Sequence, residues 1–142
     1  MNDNIISAIR EYISKAPALQ SFSLKHRHID FTDDSNDNYG IIPDGETTLK
    51  SFITGGGKMQ YPFTLYISKL SNDDVVRINN AALLENLRTW CNQQTLLKSF
   101  PALPDGCTPV RITAENGMLL NSGVGNKRAT YQIQFKLIYL KS

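Results

Sequence analysis

Apolar residues follow two rhythms along the 142-residue chain, one helical and one alternating. Ile5, Ile6, Ile9, Tyr12 and Ile13 recur at helical spacing over residues 3–15, with Arg10, Glu11, Ser14 and Lys15 on the other face. Asn2 or Asp3 is expected to cap this helix, and Pro17 to end it. Residues 22–31 suit a strand whose alternation is blurred by Lys25, His26, Arg27 and His28. A loop rich in Asp and Asn is expected over 32–46, closing on Pro43-Asp44-Gly45. A short strand over 47–53 then runs into Gly55-Gly56-Gly57. Residues 60–69 alternate cleanly, with Tyr61, Phe63, Leu65 and Ile67 on one face and Gln60, Thr64, Tyr66 and Ser68 on the other. Pro62 removes a ladder donor and suggests a strand start or an edge.

Ser71-Asn72-Asp73-Asp74 supplies helix-start chemistry for a helix over 75–98. Its stripe is Val76, Leu83, Leu84, Leu87, Trp90, Cys91 and Leu97, and Pro101, Pro104 and Gly106 close it. The last third reads as a hairpin. Val110, Ile112 and Ala114 alternate with Arg111, Thr113 and Glu115, and Met118-Leu119-Leu120 extend the run to a tip at 121–128. The return strand over 129–140 sets Tyr131, Ile133, Phe135, Leu137 and Tyr139 against Gln132, Gln134 and Lys136. One α+β domain over residues 1–142 satisfies all these stripes: a mostly antiparallel β-sheet with two α-helices packed on one face. Leu87 and Trp90 are expected to lie on the sheet face that carries Phe63, Leu65, Ile133 and Phe135.

Composition narrows the class without naming a function. At 41% hydrophobic and 20% charged, the chain is globular in type and long enough to hold a core without disulfides or metal. No apolar run approaches the ~20 residues of a membrane span, and the opening residues do not resemble a signal peptide. A soluble, intracellular, reduced domain is the expectation. The net charge of +2 is too weak to argue for nucleic-acid binding on charge alone. The distribution is more telling. Residues 25–46 carry a net −4, residues 47–142 a net +6, and residues 1–24 balance. Separated signs suit attraction between copies or to a patterned partner. The stretch holding Asp33, Asp34 and Asp37 also reads as a plain solvated loop. It lacks the ligand order of an EF-hand, so calcium is set aside.

Candidate chemistry is sparse. Gly55-Gly56-Gly57-Lys58 invites a phosphate-loop reading, but Met59 follows the lysine and a strand follows the glycines, so a hairpin loop fits better. His26 and His28 share a strand face without a third ligand nearby in sequence. Cys91 is the nucleophile candidate, but it adjoins Trp90 on an apolar stripe, where a thiol acts as a small hydrophobe. Cys107 sits in a Pro/Gly loop. Arg111, Lys127, Arg128 and Lys136 can reach phosphates, with Tyr66 as the aromatic on the polar face, a pattern thinner than nucleic-acid binders show. Neither an enzyme nor a cofactor is expected.

The segments Asn4-Ile-Ile-Ser-Ala-Ile-Arg-Glu-Tyr-Ile13, Tyr61-Pro-Phe-Thr-Leu-Tyr66 and Leu87-Arg-Thr-Trp90 resemble those of the small tail terminator proteins of tailed bacteriophages and prophages. The ending Arg128-Ala-Thr-Tyr-Gln-Ile-Gln-Phe-Lys-Leu-Ile-Tyr139 is similar to that family's A-x-Y-x-I-x-x-x-L-x-Y final strand. Residues 20–57 follow the pattern least. The resemblance implies a virion protein of the tail or neck, assembled in the bacterial host cytoplasm as a homo-oligomeric ring, commonly a hexamer. Such a ring caps the tail tube, ends tube polymerisation and forms the head–tail joining surface. Its implied partners are itself, the tail tube protein and a head-completion or connector protein, with no membrane and no specific nucleic acid. Loops at 32–46, 54–59 and 121–128 are the expected contact segments, with Asp33, Asp34 and Asp37 meeting Lys58 or Lys127 and Arg128 of a neighbour. A head–tail connector is the nearest alternative, and a small nucleic-acid- or nucleotide-handling enzyme the alternative of another class.

Overall fold

The computed structural model describes residues 4–19, 27–29, 38–70, 74–121 and 128–142. Helix α1 (Ile5–Ser14) leads into a 3-10 turn (Pro17–Leu19). Its cap is Asn4 rather than the expected Asn2 or Asp3: the Asn4 side chain accepts from the Ser7 amide at 2.9 Å. Six strands follow among the described residues: β1 (Arg27–Ile29), β2 (Asn38–Pro43), β3 (Thr47–Ser51), β4 (Gly57–Leu70), β5 (Cys107–Asn121) and β6 (Arg128–Lys141). Helix α2 (Asp74–Leu97) links β4 to β5. The fold is α+β.

The sheet runs β1-β2-β4-β6-β5, with β3 also on β4. Among the described residues only the β1–β2 pair is parallel. Strand β2 corrects the sequence reading, which placed 38–43 in a loop. Its alternation is only six residues long and is hemmed by turn-formers, but Tyr39 and Ile41 face Ile67 and Leu65 across the ladder and are buried.

Strands β2 and β3 lie end to end along the same edge of β4, opposite 63–68 and 57–60. The seam between them is Asp44, whose amide donates to the Pro62 carbonyl at 2.9 Å and whose carboxylate accepts from the Thr64 hydroxyl at 2.6 Å. In an antiparallel ladder a residue's N and O point to the same neighbour. The donor that Pro62 lacks therefore falls at the seam, which explains a proline inside a 14-residue strand.

One sheet face meets both helices. Phe63 and Phe135 stack at its centre, with centroids 5.0 Å apart and planes 3° off parallel. Ile9 and Ile13 of α1 and Leu84, Leu87 and Cys91 of α2 complete the same buried cluster. Trp90 departs from expectation. It is half-buried and packs against Tyr12 of α1, centroids 5.0 Å apart, while the Tyr12 hydroxyl donates to the Ser99 carbonyl at 2.8 Å. It fills the seam between the helices rather than the centre of the sheet. Leu97 also departs, being 74% exposed, because the end of α2 runs over the free edge of β5. There the Thr95 hydroxyl donates to the Ile112 carbonyl at 2.7 Å and accepts from the Ile112 amide at 3.2 Å. A helix side chain thus satisfies part of a strand edge that would otherwise invite another strand.

Opposite this core, Thr64 and Ser68 face away from the helices as expected, but they are only 3% and 2% exposed. They are short side chains in central positions, and taller neighbours such as Tyr66 and Gln134 flank Thr64 in the ladder.

Candidate assembly surface

The two ends of β4 separate the residues expected to form contacts. Asp33, Asp34, Asp37 and Lys127 lie outside the described residues, as does His26. Arg128 opens β6 opposite Leu70, at the end of the sheet where β2 begins with Asn38 opposite Ser68. Lys58 lies opposite Leu140 at the other end. From Lys58 to Leu70 along an extended strand is about 40 Å, so the two basic candidates mark opposite ends of the molecule.

The Lys58 end is built by the β3–β4 hairpin. Its turn closes with the Gly55 amide on the Phe52 carbonyl and the Phe52 amide on the Gly56 carbonyl, both at 3.1 Å. Gly55 and Gly56 take positive φ of 96° and 74°. A Cβ at Gly56 would collide with the Lys141 carbonyl, and one at Gly57 with the Lys50 carbonyl. The glycines therefore join two antiparallel strands and open no helix, so they do not form a phosphate loop. The expected loop over 54–59 is correspondingly shorter, since β4 begins at Gly57.

Strand pairing gathers residues at this end that are far apart in sequence. Lys50 lies directly across the ladder from Lys58, on the same face, whereas Lys141 pairs with Gly57 one row further out and so lies on the opposite face. Like charges placed opposite each other in a ladder are destabilising. None of the three lysines has an ion-pair partner among the described residues. Beside them Leu49, Phe52, Ile53 and Leu140 are exposed, Ile53 completely. A cleft of about 400 Å³ runs between Phe52, Thr54, Leu140 and Lys141. Sequence reading singled out Lys58 alone at this end, because its pairing with Lys50 comes from strand register, which local pattern does not encode.

The remaining candidates sort by burial and pairing. Cys91 is fully buried and burial pushes its thiol up to about 12, so it stays protonated at neutral pH and is no nucleophile. His28 belongs to β1, which pairs with β2. Among the described residues no cluster of three His, Cys, Asp or Glu side chains is placed to hold a metal ion, and no helix is long and apolar enough to cross a membrane. Lys136 sits 3.7 Å from Glu115 on the open sheet face, so its charge is already partnered. A second cleft, about 550 Å³, lies between α2 and β5 and is lined by Leu84, Arg88, Met118, Tyr131 and Ile133. It follows from the bulge at Asn116 and Gly117, where Asn116 takes a φ of 58° and a Cβ at Gly117 would stand 3.3 Å from Leu84 Cβ.

No protein-family model matches the chain, and no curated protein does. Among solved structures 24 chains match. One is a chain from the virion of a native gene transfer agent particle, with a TM-score of 0.53 at 9% identity, covering 98% of this chain and 99% of that one. At so low an identity, what this chain shares with that virion component is its fold, from end to end.

Proposed function

We propose that the chain is a structural component of a phage-like virion, and that it caps the tail tube as a homo-oligomeric ring. The observation that carries this reading is the end-to-end likeness to a chain of a gene transfer agent virion. The likeness of residues 128–139 and three other segments to tail terminators supports the finer assignment. In this reading the protein makes and breaks no bonds and takes no cofactor. Shape does the work: one surface fits the growing end of the tube, and the opposite surface rejects a further tube ring while accepting a connector. Separated charges and an exposed apolar hairpin suit head-to-tail packing, which closes into a ring when the rotation permits.

Deleting the gene and measuring tails by electron microscopy tests the reading. Tails of uncontrolled length are the expected outcome. Tails of normal length left without heads would move the protein to the connector, and normal, headed particles would remove it from the virion pathway.

A further inference from the structure

We infer that the tip of the β3–β4 hairpin of one copy, led by Ile53, seats in the apolar cleft between α2 and β5 of another copy. The inference deepens the ring reading and takes its partner, a second copy, from it. The first ground is the tip. Ile53 stands wholly in solvent on a turn closed by the Gly55 and Phe52 amides, and all five residues of β3 are exposed. An isoleucine on an ordered turn brings apolar area without the ordering cost of a loose loop. The second ground is the cleft. Its volume of about 550 Å³ is walled by Leu84, Met118, Leu119, Tyr131 and Ile133. At the same end of β5, Met118, Leu119 and Leu120 are each about half exposed.

The third ground is distance. Leu119 lies opposite Tyr131, ten positions along β6 from Lys141, which lies opposite Gly57 at the base of the turn. Ten strand residues span about 33 Å, so a tip cannot enter the cleft of its own chain. Convex and concave apolar surfaces at opposite ends of one molecule make a heterologous contact, in which each copy gives a tip and takes one. The fourth ground is area. The exposed parts of Leu49, Phe52, Ile53, Met118, Leu119 and Leu120 add to roughly 600 Å², at about 180 Å² for a whole side chain. With the ~60% apolar share of an interface, such a contact buries about 1,000 Å² in all, where specific association begins. Glu85 and Arg88 also line the cleft and carry opposite charges, so apolar burial rather than net charge holds the tip.

Variants of tip and cleft, with a cross-link between them, test it. Ile53→Asp alters a wholly exposed side chain, so its urea midpoint should match the wild type. By native mass spectrometry its assembly should be about tenfold or more weaker, whereas Ile53→Leu should assemble normally. Ala81→Trp fills the cleft from an exposed position on α2 and should weaken assembly as much, with Leu119→Asp as the substitute if the tryptophan unfolds the chain. Tripling the salt should leave assembly intact, and a loss would overturn the apolar contact in favour of one held by charge. In a Cys107→Ser background, with Cys91 buried, Ile53→Cys and Leu119→Cys copies mixed under mild oxidation should join through positions 53 and 119. Tip and cleft variants that assemble like the wild type overturn the contact and leave the ring reading standing. Assembly lost with Ile53→Asp but kept with both cleft variants, or links confined to 53–53, gives the tip to another surface or to the tube protein and likewise overturns it. Links between 53 and 119 in particles no larger than a dimer keep the contact and remove the ring. A wild-type chain that stays monomeric, alone and beside its tube end, removes both.

Discussion

Lys98 ends α2 in a conformation that side chains avoid. Its φ is 56°, its amide donates to the Thr95 carbonyl at 3.2 Å, and the Ser99 amide donates to the Gln94 carbonyl at 2.9 Å. This paired closure of a helix C-terminus usually carries glycine at the left-handed position. Lys98→Gly should therefore raise stability by about 1 kcal/mol, read as a higher urea midpoint at unchanged slope. Cys91 makes a prediction of the opposite sign with pH. Burial pushes its thiol to about 12, whereas in the unfolded chain it ionises near pH 8.5–9. Above that pH the unfolded state loses its proton first, so stability is intact below about pH 9 and falls as pH rises towards 12. Tyr12, raised by burial and by nearby Cys91, acts in the same direction. Chemical denaturation from pH 8 to 11 should show this decline, and Cys91→Ala should flatten it. A decline equally steep in the variant would assign the effect elsewhere.

At the scale of elements, the edge of β5 depends on one hydroxyl. Thr95→Val keeps the shape of the side chain but leaves the Ile112 amide and carbonyl without their partner, a loss of about 1–3 kcal/mol. Thr95→Ser should retain most of the stability. If valine and serine behave alike in denaturant titrations, the edge bond contributes nothing. Most elements were legible from pattern. The helices over 3–15 and 75–98 and the strands over 60–69 and 129–140 appear within a few residues of their expected bounds, because their apolar periodicity is long. Strand β2 was not legible. Six residues between turn-formers carry too little pattern, and what makes them a strand is the waiting edge of β4. Pro62 was misread for the same reason, since only pairing reveals a seam at which its missing donor is harmless.

For the molecule as a whole, the arrangement of the core ranks its aromatic residues. Phe135 stacks on Phe63 with no exposure, whereas Trp90 is half-buried at the seam between helices. Phe135→Ala should cost about 3–5 kcal/mol and Trp90→Ala about 1–3 kcal/mol, the latter mainly through lost helix–helix contact. Thermal melts giving the reverse order would refute this placement.

Periodicity alone determined that the chain is α+β, which faces of its long elements are apolar, and that the glycine run is a turn. These are consequences of side-chain spacing within one element, and spacing is written in the sequence. Tertiary structure alone decided which residues meet. It placed Lys50 across from Lys58, set Arg128 at the far end, and moved Trp90 from sheet to seam. Register, strand order and helix docking join residues tens of positions apart. They are settled by the packing of the whole core, so no local window of sequence contains them.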